Sequence, residues 1–301
     1  MKKKLILITK LFQCYTTPMQ IQEVLKISRP RFWLYEAATF AFIGALGALQ
    51  GFGFVYDWRF WLFTLYFLIP ANILIYGIND IFDYETDKLN PKKGTYEALV
   101  TPEKQKQLWL WIILNNIPFL FFVPKSTPLL ISFFIFIFCA TFYSAYPIRA
   151  KAKPVIDSLF SAGHYVATGV FGYFLAGGTA TPTIPIVAGM LWAIAMHAYS
   201  AVPDIKADTE AKLKTIAILI GGKNTIYLCW ILYLTSAYLV NYAIPVASIL
   251  GSLTYSYVMY KSLQAKTDDE LFKVYTYFPW INSAIGALIS IELLAKNLNF
   301  F

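Results

Sequence analysis

Tyr76-Gly77-Ile78-Asn79-Asp80-Ile81-Phe82-Asp83-Tyr84-Glu85-Thr86-Asp87 closes an apolar run that begins near Phe60. On a helix, Asn79, Asp83 and Asp87 follow i, i+4, i+8 spacing, so one face carries an amide and two carboxylates, with Asp80 three residues from Asp83. Like charges stacked this way repel by roughly 0.2–0.5 kcal/mol per exposed pair, and by more when partly buried. A cation therefore belongs among them, and a hard divalent ion with oxygen ligands meets the need. The sixth apolar run ends similarly, in Tyr199-Ser200-Ala201-Val202-Pro203-Asp204-Ile205-Lys206-Ala207-Asp208-Thr209-Glu210-Ala211-Lys212. Asp204 and Asp208 share a face at i, i+4, while Glu210 is turned away.

The rest of the chain says where these clusters sit. Of 301 residues, 58% are apolar and 14% charged, with a mean hydropathy of +0.55. That is too few charges to cover a water-facing surface, so lipid is the solvent for most of the chain. Runs able to cross about 30 Å of hydrocarbon begin near Phe32, Phe60, Leu108, Leu129, Val155, Ile184, Thr225, Ala243 and Tyr275. They predict an all-α integral membrane protein of about nine transmembrane helices around a central cavity, one domain over 1–301, with Pro70 kinking the second helix.

The net charge of +8 is distributed by side rather than gathered for nucleic acid. With the amino terminus inside and the carboxyl terminus outside, only Arg59, Lys125 and Lys296 lie outside, leaving 22 of the 25 Lys and Arg on the inner segments. Both acidic clusters then face the cytoplasm, at the ends of spans two and six. Residues 1–27 read as a retained interfacial segment whose lysines lie near anionic headgroups, because Lys10 interrupts the short apolar stretch and no small-residue cleavage site follows. Cys14, Cys139 and Cys229 form no metal or disulfide pattern.

Magnesium characteristically takes one or two carboxylates, several waters and substrate phosphate oxygens, which suits a diphosphate held between two acidic walls. A cation or small-solute transporter is the alternative of another class, and it would place carboxylates deep in the bilayer rather than at helix ends.

Asn79-Asp80-x-x-Asp83-x-x-x-Asp87 resembles the first signature of the UbiA superfamily of intramembrane prenyltransferases, and Asp204-x-x-x-Asp208 its second. Ser28-Arg29-Pro30-Arg31-Phe32-Trp33 and Tyr143-Ser144-Ala145-Tyr146-Pro147-Ile148-Arg149-Ala150-Lys151 resemble further family segments. The resemblance implies magnesium-dependent transfer of a prenyl group from an allylic diphosphate to a hydrophobic acceptor inside the membrane. It implies magnesium on Asp80, Asp83, Asp204 and Asp208, with Asn79 and Asp87 in support. Arg149, Lys151, Lys206 and Lys212 are candidates for the diphosphate oxygens. Tyr143 and Tyr146, with Tyr76 and Tyr199 near the mouth, offer ring faces to an allylic cation.

Within the superfamily, Ser28-Arg29-Pro30-Arg31-Phe32-Trp33-x-Tyr35-Glu36, Pro154-x-x-Asp157-Ser158 and Pro203-Asp204-x-x-Ala207-Asp208 resemble the lycopene elongase group. A carotenoid such as lycopene is the acceptor this implies. The aromatic-acceptor branch of quinone biosynthesis is the alternative.

Other ionisable residues read more simply. Glu36, inside the first span, is expected to pair with Arg29 or Arg31, or else to serve acceptor binding or proton removal. Asp157 balances Lys153 or Arg149, and Glu292 pairs with Lys296 at i, i+4. His164 and His197 are packed or hydrogen-bonded within helices. Gly44, Gly47, Gly51, Gly53, Gly163, Gly169 and Gly172 permit close helix approach.

Overall fold

The computed structural model describes residues 18–48, 53–88, 93, 97–210 and 212–298. Among these every regular element is a helix, and strand pairing is limited to one bridge between Lys93 and Glu97. Cys14, Gly51 and most of the predicted interfacial segment lie outside the described residues.

The chain runs through α1 (Ile21–Ile27), a 3-10 turn at Pro30–Phe32, and α2 (Trp33–Ala38), which continues as a π-helical stretch over Thr39–Ala45. Next come α3 (Trp58–Leu68), α4 (Pro70–Phe82), α5 (Tyr84–Asp87), α6 (Pro102–Leu120), α7 (Thr127–Ser144), α8 (Ile156–Leu175) and α9 (Thr183–Ser200). After α9 follow α10 (Ile205–Glu210), α11 (Ile216–Ile220), α12 (Gly222–Val240), α13 (Pro245–Gln264), α14 (Asp268–Tyr275) and α15 (Phe278–Asn297). Proline opens α4, α6, α7, α13 and α15 within the first turn, where its missing N–H removes no helical hydrogen bond.

Among the described residues, the predicted apolar runs coincide with helices. Four helical segments, Trp58–Phe82, Thr127–Ser144, Thr183–Ser200 and Asp268–Asn297, are long and apolar enough to cross a membrane by length and composition. The outer surface bears Leu114, Phe121, Phe134, Ile231, Leu253 and Trp280, each more than half exposed, as a lipid-facing surface would.

The interruption predicted at Pro70 is real: α3 and α4 are separated at Ile69 (φ −118°, ψ −63°). Asn72 donates its side-chain amide to the carbonyls of Phe67 (2.9 Å) and Leu68 (3.0 Å), satisfying backbone oxygens the break leaves open. Asn116 of α6 donates to the Pro70 carbonyl (3.1 Å) and clips the kink to the next helix.

Two buried clusters organise the interior. Phe40, Phe63, Tyr66, Phe67, Phe136 and Phe171 centre the first, which joins α1 to α4 and α6 to α8. Tyr199, Cys229, Tyr233, Tyr255, Met259 and Phe278 centre the second, joining α9, α12, α13 and α15. The π-helical stretch and α8 cross at backbone contact: a Cβ on Gly44 would lie 2.2 Å from the Gly169 carbonyl oxygen, and one on Gly172 would lie 2.4 Å from that of Phe40. Gly47 and Gly53, expected to serve the same end, face open space.

Glu292 departs from expectation. Its carboxylate accepts the backbone N–H groups of Val246 (3.0 Å) and Ala247 (2.9 Å). It thus caps the first turn of α13 from a neighbouring helix, where free N–H groups outcompete the exposed Lys296.

Candidate active site

The first acidic motif lies across a helix break. Asp83 (φ −108°, ψ 5°) separates α4 from α5, although its N–H still bonds Asn79 O (3.0 Å) and its carbonyl still accepts from Asp87 N (2.8 Å). The single acidic face expected of Asn79, Asp83 and Asp87 becomes two groups. Asp80 and Asp87, seven residues apart and so two turns apart on one side, share the ammonium of Lys93 at 2.7 Å each. Asp83 turns the other way, to Lys151 Nζ, with Arg149 at 3.6 Å.

Arg29 completes the first group. The residue takes a left-handed conformation (φ 52°) where α1 ends, and its guanidinium contacts Asp80 (3.2 Å), Asn79 Oδ1 (3.4 Å) and Glu97 (3.3 Å) while lying 4.5 Å from the Tyr76 ring centroid. Arg31 also pairs with Glu97. Neither arginine reaches Glu36, as one of them was expected to. The turn that ends α1 sends both toward α4 and the loop beyond it, and α2 carries Glu36 into the bundle. Lys93 and Glu97, members of this network, carried no signal in the sequence beyond their basic and acidic character in an inner loop.

Charges outside the helical bundle respond to this crowding. Burial raises the Asp87 carboxyl above the ordinary range against the pull of Lys93. Burial pushes Glu97 upward as well, but Arg29, Arg31 and Lys93 together hold it below.

The second motif spans the start of α10, where Asp208 N bonds Asp204 O (2.8 Å). Burial, followed by repulsion from Asp204, pushes Asp208 up to about 6, and Lys151 pulls the other way. Lys151 is therefore common to both motifs: it pairs with Asp83 and acts on Asp208. Lys206 and Lys212 are exposed on and just beyond α10.

Tyr143 stands at the meeting point. Its hydroxyl bonds His197 Nε2 (2.8 Å), His197 Nδ1 reaches Ser158 Oγ (3.1 Å), and the charges of Asp83, Asp157 and Asp208 all act on it. His197 is thus hydrogen-bonded among helices, as expected. Tyr146 lies at the rim, 61% exposed, and accepts from Arg149 Nη1 (2.7 Å). Tyr199 is elsewhere: fully buried and bonded to Ser262 (2.8 Å), it belongs to the second core cluster rather than to the mouth.

Asp157 also departs from expectation. It pairs with neither Lys153 nor Arg149 but accepts from Ser158 N (2.7 Å) and Ile216 N (3.2 Å), capping α8 and α11 together. Buried N–H groups at two helix starts demand an acceptor, whereas Lys153 is exposed to water and Arg149 is engaged by Asp83 and Tyr146. The effect is to tie the segment after the second motif to α8.

Two buried polar atoms at this site make no hydrogen bond: Asp83 Oδ1 and Arg149 Nε. A carboxylate oxygen whose ion-pair partner, Arg149 Nη2, stands off at 3.6 Å, and a guanidinium N–H without an acceptor, suit a metal ion and a phosphate oxygen respectively. Among the described residues no three His, Cys, Asp or Glu side chains converge as a complete protein cage.

The UbiA prenyltransferase family matches residues 37–283, and the chain belongs to that family. It is similar to the lycopene elongase/hydratase of Corynebacterium glutamicum, 34% identical over 92% of this chain and 98% of the relative. It is likewise similar to that of Halobacterium salinarum, 34% identical over 88% and 94%. Its fold matches a UbiA homologue from Archaeoglobus fulgidus bound to DMAPP and Mg2+, with a TM-score of 0.70 and 18% identity over 92% of this chain and 99% of that one. The protein is a prenyltransferase.

Proposed function

We propose that this enzyme transfers the prenyl group of an allylic diphosphate to a carotenoid such as lycopene within the membrane, in a magnesium-dependent reaction that releases diphosphate. The observation that carries the site is the open pair of buried atoms, Asp83 Oδ1 and Arg149 Nε, between motifs that share Lys151. The carotenoid acceptor is supported by relatives named lycopene elongase/hydratase, and the donor by the DMAPP-bound homologue.

Asp80, Asp83, Asp204 and Asp208 would hold magnesium, with Asn79 and Asp87 supporting them. Magnesium bound there supplies neutralisation of the charge that develops on the departing diphosphate. Arg149 and Lys151 bind phosphate oxygens from the protein side, while Lys206 and Lys212, exposed in the structure, meet the diphosphate from the water side. Tyr143, fixed by His197, presents its ring face to the allylic cation, and Tyr76, stacked with Phe32 at 5.7 Å between centroids and covered by Arg29, helps keep water from it.

The reading includes nine membrane crossings, the amino terminus and both motifs on the cytoplasmic side of the inner membrane, and the carboxyl terminus outside. Its support is the 22-to-3 division of basic residues.

Purified protein in lipid nanodiscs, given dimethylallyl diphosphate, lycopene and Mg2+, is expected to release diphosphate and yield lycopene heavier by one isoprene unit by mass spectrometry. EDTA, Asp83→Ala and Asp204→Ala should each abolish both. A prenylated aromatic quinone precursor, with lycopene untouched, would move the acceptor to the quinone branch.

A further inference from the structure

Transfer creates a chemical demand that the two acidic motifs do not meet. When the allylic cation bonds to a carbon–carbon double bond or an aromatic ring, the positive charge passes to the acceptor, and a proton must leave before the product is neutral. Leaving diphosphate oxygens are clamped by cations at the water edge. A base is wanted deeper, beside the apolar part of the cavity.

Glu36 and His164 adjoin such a place: Thr39, three residues after Glu36, and Tyr165, next to His164, both line an apolar cavity. Glu36 and His164 themselves are 1% and 6% exposed, and His164 Nδ1 bonds Glu36 Oε1 at 2.6 Å. The other carboxylate oxygen, Glu36 Oε2, is buried and makes no hydrogen bond. A buried carboxylate oxygen left without a hydrogen bond is costly, and a purely structural ion pair has no reason to retain one. An ionisable group inside a membrane helix is itself costly unless it faces a partner or a cavity.

The surroundings place the pair between the diphosphate end and the lipid side. Glu36 acts electrostatically on the hydroxyls of Tyr76 and Tyr165. Tyr76 is one turn before Asn79 and Asp80, beneath the Arg29 guanidinium. Tyr165 adjoins His164, with ring centroids 4.2 Å apart, and lines an apolar cavity of about 170 Å³ together with Thr39, Gly44, Gly169 and Trp192. Immediately after Glu36's helix the backbone widens into the π-helical stretch Thr39–Ala45, an irregularity that often marks functional positions.

We propose that Glu36, oriented by His164, is the base that takes the proton released when the acceptor cation is discharged. This rests on the prenyl-transfer reading above. The acceptor's π electrons form the new bond to the prenyl carbon, leaving a cation on the acceptor. Either a neighbouring C–H bond breaks, its electron pair becoming a double bond, or a water oxygen adds and loses a proton. In both cases the proton goes to Glu36 Oε2, the carboxylate becomes a carboxylic acid, and charge balances. His164 is a positioning residue, donating from Nδ1 to the opposite oxygen.

The test is the partition of the donor in nanodiscs supplied with dimethylallyl diphosphate, lycopene and Mg2+: elongated carotenoid formed per diphosphate released, against free prenyl alcohol. Because both products come only from folded, turning-over enzyme, partial unfolding lowers them together and leaves the ratio fixed. Glu36→Gln is expected to lower the ratio at least tenfold, a modest share of what a positioned base contributes, with prenyl alcohol rising in compensation. Glu36→Asp should recover part of the ratio, and His164→Gln should fall between Glu36→Gln and wild type.

An alkene product identifies C–H as the proton source, and an alcohol labelled from H2(18)O identifies water; either supports the assignment when the ratio shifts. A wild-type ratio in Glu36→Gln overturns it. So does loss of diphosphate release in both Glu36→Gln and His164→Gln, because a group that acts after ionisation is not needed for ionisation. No diphosphate release from the wild-type enzyme would instead overturn the parent reading.

Discussion

Lys93 is only 3% exposed at its side chain, and two carboxylates close on it at 2.7 Å. Nothing in its neighbourhood in the sequence sets it apart from the other inner lysines, whose usual task is to anchor a loop at the membrane surface. Its role follows from where the loop folds back, which local spacing does not encode. The aspartates were legible because each motif is dense within a few residues of sequence; their partners, Arg29, Lys93 and Lys151, arrive from three separate segments. The same contrast holds for Glu36, legible as anomalous by its depth but not by its partner, since His164 is 128 residues away.

At this scale the structure also gives a pH dependence. Asp208 ionises near 6 against an ordinary value of 3.8, chiefly through burial and next through Asp204. A raised carboxyl pKa means the folded protein holds the proton more tightly than the unfolded chain. That stabilisation of the metal-free fold is fully present below about 4 and is lost progressively as pH rises from there through 6. Metal binding needs the ionised form, so the Mg2+ concentration for half-maximal activity should increase as pH falls below about 6. An Mg2+ titration of the wild-type enzyme's activity at several pH values checks this.

Among the elements, the kink at Pro70 was readable because a proline inside an apolar run has few outcomes in a membrane helix. The break at Asp83 was not. It needs no special residue, only the competition between helix continuation and carboxylates drawn to cations on opposite sides. Glycine was readable as a class but not by position: Gly44 and Gly172 sit at a helix crossing, and Gly47 and Gly53 do not. Gly44→Ala should therefore destabilise the detergent-solubilised protein by about 1–3 kcal/mol, because the clashing atom is backbone and cannot swing aside. Gly286→Ala, on α15 with nothing within 4 Å of the added Cβ, should be neutral or slightly stabilising. Thermal unfolding of the two variants beside wild type makes the comparison.

For the whole molecule, helix content and lipid residence followed from composition, since so apolar a chain leaves few soluble solutions. The meeting of the two motifs required the bundle itself: α8, tied by Asp157 to α11, brings the segment after α9 toward the end of α4. Sidedness is the testable remainder. Single cysteines placed at exposed Glu103 and Lys206 should react with a membrane-impermeant maleimide only from the cytoplasmic face, and one at Tyr242 only from the other. Labelling of Glu103 and Tyr242 positions from the same face would remove the nine-crossing topology.

Because Arg29, Lys93, Arg149 and Lys151 already stand against the motif aspartates, the protein carries its own counter-charge. A pocket lined only with acids would push its walls apart whenever the ion left. This one can be stripped and stored. Chelation should silence turnover while shifting the melting temperature by less than about 3 °C, a loss of roughly 1 kcal/mol at most for a chain of this size. Returning Mg2+ should then restore full turnover without any refolding step, as a differential scan and an assay on one EDTA-treated sample would reveal.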